Sequence, residues 1–195
     1  MNSNVELKFS RFLATGLFLI TCLVIAGPLT DPVNVPKFLV LVVMSFGLIP
    51  FLFINRDNIF KHVPKSVLIF SAIFLVASLT STILSKSPFN QTLYGTYGRN
   101  TGLLAYIGFL ILFLTLSSFT MKSSFNSVIY AFIIAGAVNV IYGFIVTIFG
   151  DPIPWINNYG GLLGTFGNPN FSGAFYGMVS TGFLIFSYEN RYNSS

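Results

Sequence analysis

Two basic residues lie where neither helix stability nor membrane insertion favours a positive charge. Lys37 follows Pro36 at the start of an apolar stretch, and Arg99 lies in Gly98-Arg99-Asn100, just before another. A cation near a helix N-terminus is unfavourable by a few tenths of a kcal/mol to about 1 kcal/mol. A bound anion would remove that conflict, and arginine can give a phosphate two parallel contacts. We therefore predict that Lys37, Gly98, Arg99 and Asn100 bind a phosphate-bearing ligand.

Basic side chains at a membrane edge have an alternative role, because they can extend to lipid head groups. For Lys37 the two interpretations remain equally open. For Arg99 the surrounding glycines favour ligand binding. Lys86 has no such surroundings, and we interpret it as a solvated interface charge.

A glycine-rich turn, Gly164 to Asn170, supplies a third candidate element. Asn168 is typical of a helix N-cap and Pro169 of a first helical residue. Capping does not explain the crowded glycines at 160, 161, 164 and 167, which indicate a backbone packed closely against a neighbour. Because a helix start offers free backbone N–H groups to anions, Gly167, Asn168 and Asn170 join the predicted site.

The composition indicates the elements that must position these residues. The 195-residue chain is 54% hydrophobic and only 8% charged, with a mean hydropathy of +0.79, whereas a soluble domain carries about a quarter charged residues. We predict an all-α membrane domain over residues 1–195, with the lipid bilayer as a partner. At about 20 residues per crossing, six spans are expected near 12–26, 38–54, 66–84, 102–119, 125–149 and 170–188.

The distribution of basic residues predicts the orientation. The N-terminal segment and the loops after spans two, four and six hold most of the ten Lys and Arg. This bias places both termini in the cytoplasm, and Lys37, Arg99 and the glycine-rich turn outside. We expect the first span to be a retained helix rather than a cleaved signal peptide. The inner residues are Lys8, Arg11, Arg56, Lys61, Lys65, Lys122 and Arg191, and the outer ones are Lys37, Lys86 and Arg99.

Several function classes are disfavoured. The basic residues are scattered rather than grouped on one face, which argues against nucleic-acid binding. A single His62 and a single Cys22 provide no zinc or haem ligand set, and no cofactor is expected. All acidic residues are expected in loops, which disfavours a cation-coupled transporter. Asp31 and Asp151, the two outer acids, could each act as a general base, but the sequence context of both is that of turn formers. The acidic residues are Glu6, Asp31, Asp57, Asp151 and Glu189.

Small residues at four-residue spacing predict close helix packing. One row is Ala131, Ala135, Asn139 and Gly143, in which the asparagine could join two helices. A second row is Gly173 and Gly177, for which we also expect packing.

The order of three elements resembles the O-antigen ligase/polymerase-like membrane proteins. These elements are Asp31-Pro32 with Pro36-Lys37, the segment Tyr94 to Gly102, and the turn Gly164 to Asn170. The resemblance implies a polytopic glycosyltransferase at the outer face of the bacterial inner membrane. Such proteins move a glycan from an undecaprenyl-diphosphate carrier to an acceptor in surface polysaccharide biosynthesis. It further implies that Arg99 contacts the carrier diphosphate and that residues 168–170 line the same cavity.

Two departures from the family pattern qualify this expectation. Related chains often have an arginine just before the glycine-rich turn, and residues 159–163 contain none. Family members are also about twice as long, and the residues thought to act in transfer lie in a later periplasmic loop. The resemblance therefore implies an amino-terminal half without catalytic residues, which needs a C-terminal half or a partner chain. The alternatives are a transporter or flippase-type carrier, for which an inverted repeat would be evidence, and a non-catalytic membrane subunit.

Overall fold

The computed structural model describes residues 3–27, 29–154, 157 and 160–192, in which helices are joined by loops and no strand occurs. A 3-10 turn at Gly164–Phe166 precedes the last helix. The all-α expectation is thus confirmed. The helices are α1 (Ser3–Cys22), α2 (Asn34–Ile54), α3 (Arg56–His62), α4 (Lys65–Leu84), α5 (Phe89–Tyr94), α6 (Leu103–Ser117), α7 (Lys122–Phe149) and α8 (Pro169–Tyr192).

Three helices, α2, α4 and α7, are long and apolar enough to cross a membrane. Helix α6 is apolar but has only 15 residues, while α1 and α8 are long but less apolar. Five of the six expected spans match these helices to within a few residues. The first span is displaced, because α1 begins at Ser3 and ends at Cys22 instead of covering 12–26. The three further crossings and the orientation stay predictions.

Helix α1 lies between α2 and α7 and packs against both. The apolar core joins α1, α2 and α6 through large side chains that include Leu13, Leu48 and Phe51, each with no exposed surface. Glycine permits the closest approach: a Cβ added at Gly16 would lie 2.0 Å from Met44 Sδ. This close packing is typical of membrane helices, where small residues let backbones approach.

The two small-residue rows have different outcomes. Ala131, Ala135, Asn139 and Gly143 are all buried in α7, which confirms the packing prediction for that row. Gly173 and Gly177 are exposed, and a Cβ at Gly173 or Gly177 would meet no atom within 4 Å. The packing prediction is wrong for this second row because α8 turns that face away from the described helices.

Glu6 differs from its expected place in a loop. It lies in α1, its side chain is fully buried, and its carboxylate caps the N-terminus of α7. Glu6 Oε1 accepts the N–H of Thr120 at 3.0 Å and of Met121 at 2.8 Å, and Oε2 accepts the Thr120 hydroxyl at 2.9 Å. Helix α7 has no side-chain cap of its own, so α1 supplies the cap that the local sequence lacks. Asp57 and Glu189 are likewise helical rather than in loops.

The Glu6 contact makes stability depend on pH. Burial raises the pKa of the Glu6 carboxyl, but the hydrogen bonds from Met121 and Thr120 outweigh burial, and its pKa lies below the ordinary 4.5. The stabilisation is therefore complete above pH 4.5 and is lost as the pH falls through the lower folded-state pKa. We expect Glu6→Gln to reduce the free energy of unfolding by about 1–3 kcal/mol at pH 7.

Thermal unfolding in non-ionic micelles, followed by circular dichroism between pH 3 and pH 7, measures this effect. The difference between the wild-type chain and Glu6→Gln should shrink below pH 4.5. A constant difference over the whole range would contradict the role given to the ionised carboxylate.

Candidate functional site

The start of α2 is a junction for the two candidate loops. Asp31 Oδ1 accepts the N–H of Val33 at 3.0 Å and of Asn34 at 2.8 Å, as expected for a turn former. Asn34 Nδ2 then donates to Asp31 Oδ2 at 3.0 Å and to the Gly98 carbonyl at 2.6 Å. On the other side, a Cβ at Gly167 would lie 3.1 Å from Val33. The loop around Gly98 and the turn around Gly167 therefore meet at one helix start.

The loop from Gly95 to Gly102 is closed on itself. Gly95 has a φ of +86°, and a Cβ added there would lie 2.3 Å from the backbone nitrogen of Thr101. Only glycine fits this close backbone contact, because an L side chain would need both a left-handed conformation and space that is filled. The Tyr97 and Thr30 hydroxyls form a hydrogen bond that fastens the loop to the segment before α2. The loop is thus fixed where its two ends meet, at Gly95 and Thr101, and at its tip, at Tyr97.

Arg99 lies at the tip of this loop. Its backbone N–H donates to the Thr96 carbonyl at 3.0 Å, while its side chain is exposed. The guanidinium makes no hydrogen bond or ion pair within the part of the chain that the structure describes. Helix α6 begins only at Leu103, so the dipole conflict expected for Arg99 is weak at that distance. What remains is an available cation on a fixed backbone, with Asn100 beside it at a φ of +50°.

Lys37 is occupied within the chain. It is the fourth residue of α2 rather than its start, and Pro36 lies within the first helical turn. Lys37 Nζ donates to the Thr165 carbonyl at 2.6 Å and to the Thr21 carbonyl at 3.1 Å, and lies 4.4 Å from the centre of the Phe166 ring. In this structure the Lys37 ammonium is therefore held by backbone carbonyls, and its contact with a lipid head group stays a prediction. Lys37 joins α1, α2 and the glycine-rich turn, and its contact with a ligand stays a prediction.

Removing the Lys37 ammonium should weaken the contacts that connect α1, α2 and the glycine-rich turn. We expect Lys37→Met, which keeps the length of the side chain, to lower the free energy of unfolding by about 2–3 kcal/mol. Two backbone carbonyls would lose a charged donor, while the contact with Phe166 would become apolar. The measurement is thermal unfolding in detergent micelles, with Lys86→Met as the matched control because Lys86 is exposed. Equal stability of the two variants would show that the Lys37 hydrogen bonds add nothing to the fold.

The glycine-rich turn is fixed by a buried polar contact with α7. The fully buried Asn139 accepts the Thr165 N–H at 3.0 Å through Oδ1, which also lies 2.8 Å from the Thr165 hydroxyl oxygen. The Thr165 hydroxyl donates to the Thr21 carbonyl at 2.6 Å. The sequence predicted that Asn139 lies in a packed row and could join two helices, but it did not identify Thr165 as the partner. The signal was available, since an amide inside an apolar helix needs a polar partner.

The expected close packing of the glycines is confirmed at two positions. Gly164 and Gly167 both have positive φ, and Cβ atoms there would lie 2.6 Å from Ser172 Oγ and 3.1 Å from Val33. A Cβ at Gly160 would meet no atom of the described residues within 4 Å, so Gly160 does not share this role. Asn168 is the N-cap as predicted: α8 begins at Pro169, and Asn168 Oδ1 accepts the N–H of Asn170 at 2.9 Å. The Asn170 side chain is exposed.

No family model matches the chain, and neither a curated protein nor a solved structure matches it. A functional interpretation therefore depends on the site itself and on the resemblance carried by its residues.

Proposed function

We propose that this chain forms part of the outer-face cavity of an O-antigen ligase-like membrane glycosyltransferase. Its ligand is an undecaprenyl-diphosphate-linked glycan, and its location is the bacterial inner membrane with the site facing outward. The observation that carries the proposal is the exposed Arg99 guanidinium, held by a loop that is fastened to the start of α2. An exposed cation on a rigid backbone is suited to a phosphate oxygen.

The chemistry of glycan transfer explains why a cation belongs there. The bond between the anomeric carbon and the carrier diphosphate breaks, and the diphosphate oxygen leaves with the electron pair. A new bond forms between the anomeric carbon and an acceptor oxygen, whose proton passes to a base. A fixed guanidinium beside the diphosphate stabilises the charge that grows on the leaving oxygen. We assign the base to a C-terminal half or a partner chain, as the resemblance implies.

Helix Pro169–Tyr192 and the turn before it form the second wall of the proposed cavity. Gly167 lies against Val33 at the start of α2, and the first turn of α8 follows directly. The capping geometry of Asn168 leaves the Asn170 side chain exposed beside this junction. We propose that the ligand is bound through the exposed side chains of Arg99 and Asn170.

Photocrosslinking tests this proposal. The chain is placed in proteoliposomes with an undecaprenyl-diphosphate glycan that carries a photoreactive group next to the diphosphate. We expect crosslinks in residues 95–102 and 167–170 that unlabelled undecaprenyl diphosphate competes away. Crosslinks spread evenly over the exposed face of α4 would refute the site, and movement of the lipid-linked glycan across the bilayer would favour a carrier.

A further inference from the structure

An open cavity of about 500 Å³ with a mixed polar and apolar lining lies among α4, α5 and α6, at the end of the bundle that carries the loop from Gly95 to Gly102. Its volume is within the range of small-molecule sites. Hydroxyl and amide side chains alternate with apolar groups in its lining, and none of the described charged side chains lines it. Thr101 and Gly102 belong to this lining, so the cavity begins two residues beyond Arg99.

The lining offers both hydrogen-bond donors and acceptors. The Ser78 and Thr82 side chains line the cavity, and their hydroxyls donate within α4, to the carbonyls of Phe74 at 2.8 Å and Ser78 at 2.9 Å. Such internal bonds are common for hydroxyls in apolar helices, but they do not explain the rest of the lining. The side chains of Ser81, Gln91 and Thr101 have no hydrogen-bond partner within the described ranges. These groups are uncharged and suit a ligand rich in hydroxyls.

An aromatic surface completes the cavity. The rings of Phe74 and Tyr106 have centroids 6.1 Å apart and an interplanar angle of 75°, and they are 43% and 42% exposed. Each ring therefore has a free apolar area next to the hydroxyl groups. A pyranose ring has the complementary distribution, with C–H groups on its faces and hydroxyls around its edge.

We propose that this cavity binds an uncharged saccharide ring, which packs against Tyr106 and forms hydrogen bonds with Ser81, Gln91 and Thr101. The preference for a neutral ring follows from the lining alone. The assignment of that ring to the glycan of the lipid-linked donor, or to its acceptor, rests on the proposed function. The site is separate from the anion contact at Arg99, and the two can be tested independently.

The test uses the full chain in phosphatidylcholine nanodiscs, because sugar-based detergents would compete for the site. Saturation-transfer NMR is recorded with glucose, with N-acetylglucosamine and with sorbitol, an open-chain polyol. We expect saturation of one or both pyranoses and weak or no saturation of sorbitol. Equal saturation of sorbitol would overturn the assignment to a sugar ring, and no saturation of either pyranose would overturn the site.

Two variants locate the binding. Ala77 lines the cavity and is exposed, so Ala77→Phe fills the space without disturbing a buried contact. We expect at least a tenfold loss of affinity for this variant. Ser81→Ala removes one uncharged hydrogen bond and should weaken binding about 2- to 10-fold.

Thr80→Ala is the matched control, since it removes a hydroxyl from the adjacent exposed position, which is outside the lining. Affinity that is unchanged in Ala77→Phe, or reduced as much by Thr80→Ala as by Ser81→Ala, would overturn the proposal. The sugars carry no phosphate. Failure here therefore leaves the diphosphate crosslinking result untouched, and failure of the crosslinking leaves a sugar-binding cavity in place.

Discussion

Replacing Arg99 with alanine is expected to lower glycan transfer by about 10- to 100-fold in the intact enzyme. A hydrogen bond to a charged group contributes about 1.5–3 kcal/mol, and about 1.4 kcal/mol corresponds to a tenfold change in rate. Because the Arg99 side chain is exposed and bonds to no other described residue, the fold should not change. The measurement is transfer of labelled glycan from the undecaprenyl-diphosphate donor by membranes, divided by the amount of enzyme in them.

Two companion variants make the Arg99 result specific. Arg99→Lys keeps the charge but loses the paired contacts, so its activity should fall between those of the wild type and Arg99→Ala. Lys86→Ala removes another exposed cation from the same predicted side of the membrane and should retain full transfer. Normal transfer by Arg99→Ala would remove the anion site from the proposal. Equal losses in Arg99→Ala and Lys86→Ala would indicate a general effect of surface charge.

The helices were predictable because hydropathy acts locally. Each apolar stretch must bury its backbone polar groups within its own hydrogen bonds, so α2, α4 and α7 appear where the sequence places them. Glu6 was wrongly predicted to lie in a loop because its contacts are distant in the sequence. Its partners at Thr120 and Met121 are 114 and 115 residues away, and nothing near Glu6 in the sequence indicates that it caps another helix.

In the candidate site, too, the local features were predictable from the sequence and the long-range contacts were not. The residue types of Lys37, Arg99 and Asn168 predicted one shared region, and the structure brings their segments together at the start of α2. The sequence did not show that Lys37 is already bound, because its acceptors are the backbone carbonyls of Thr21 and Thr165. Every residue has a backbone carbonyl, so such an acceptor has no signature in a sequence. Only the fold shows that Lys37 connects α1, α2 and the glycine-rich turn, whereas the Arg99 side chain is exposed and available to a ligand.

Gly164→Ala is expected to lower the free energy of unfolding by about 2–5 kcal/mol. The position has a φ of +58°, which costs an L residue about 1–2 kcal/mol. A Cβ would also lie 2.6 Å from Ser172 Oγ and 3.3 Å from Asn139 Oδ1. Both neighbouring side chains already form hydrogen bonds and cannot move freely. Ser172 donates to the Leu163 carbonyl, and Asn139 accepts from Thr165 in the turn. Overpacking of this kind costs about 1–3 kcal/mol more.

Gly160→Ala separates the conformational cost of a positive φ from the cost of overpacking. Gly160 has a similar φ of +64°, but a Cβ there would meet no atom of the described residues within 4 Å. Its alanine variant should lose only the conformational part, about 1–2 kcal/mol, in the same thermal unfolding measurement. Thr165 follows Gly164, and its carbonyl binds Lys37, so Gly164→Ala should displace the turn from this contact. The displaced turn should then show reduced crosslinking at residues 167–170, whereas Gly160→Ala should leave that crosslinking unchanged. Equal effects of the two variants would show that the buried contact with α7 does not fix the turn, and the proposed cavity would lose its second wall.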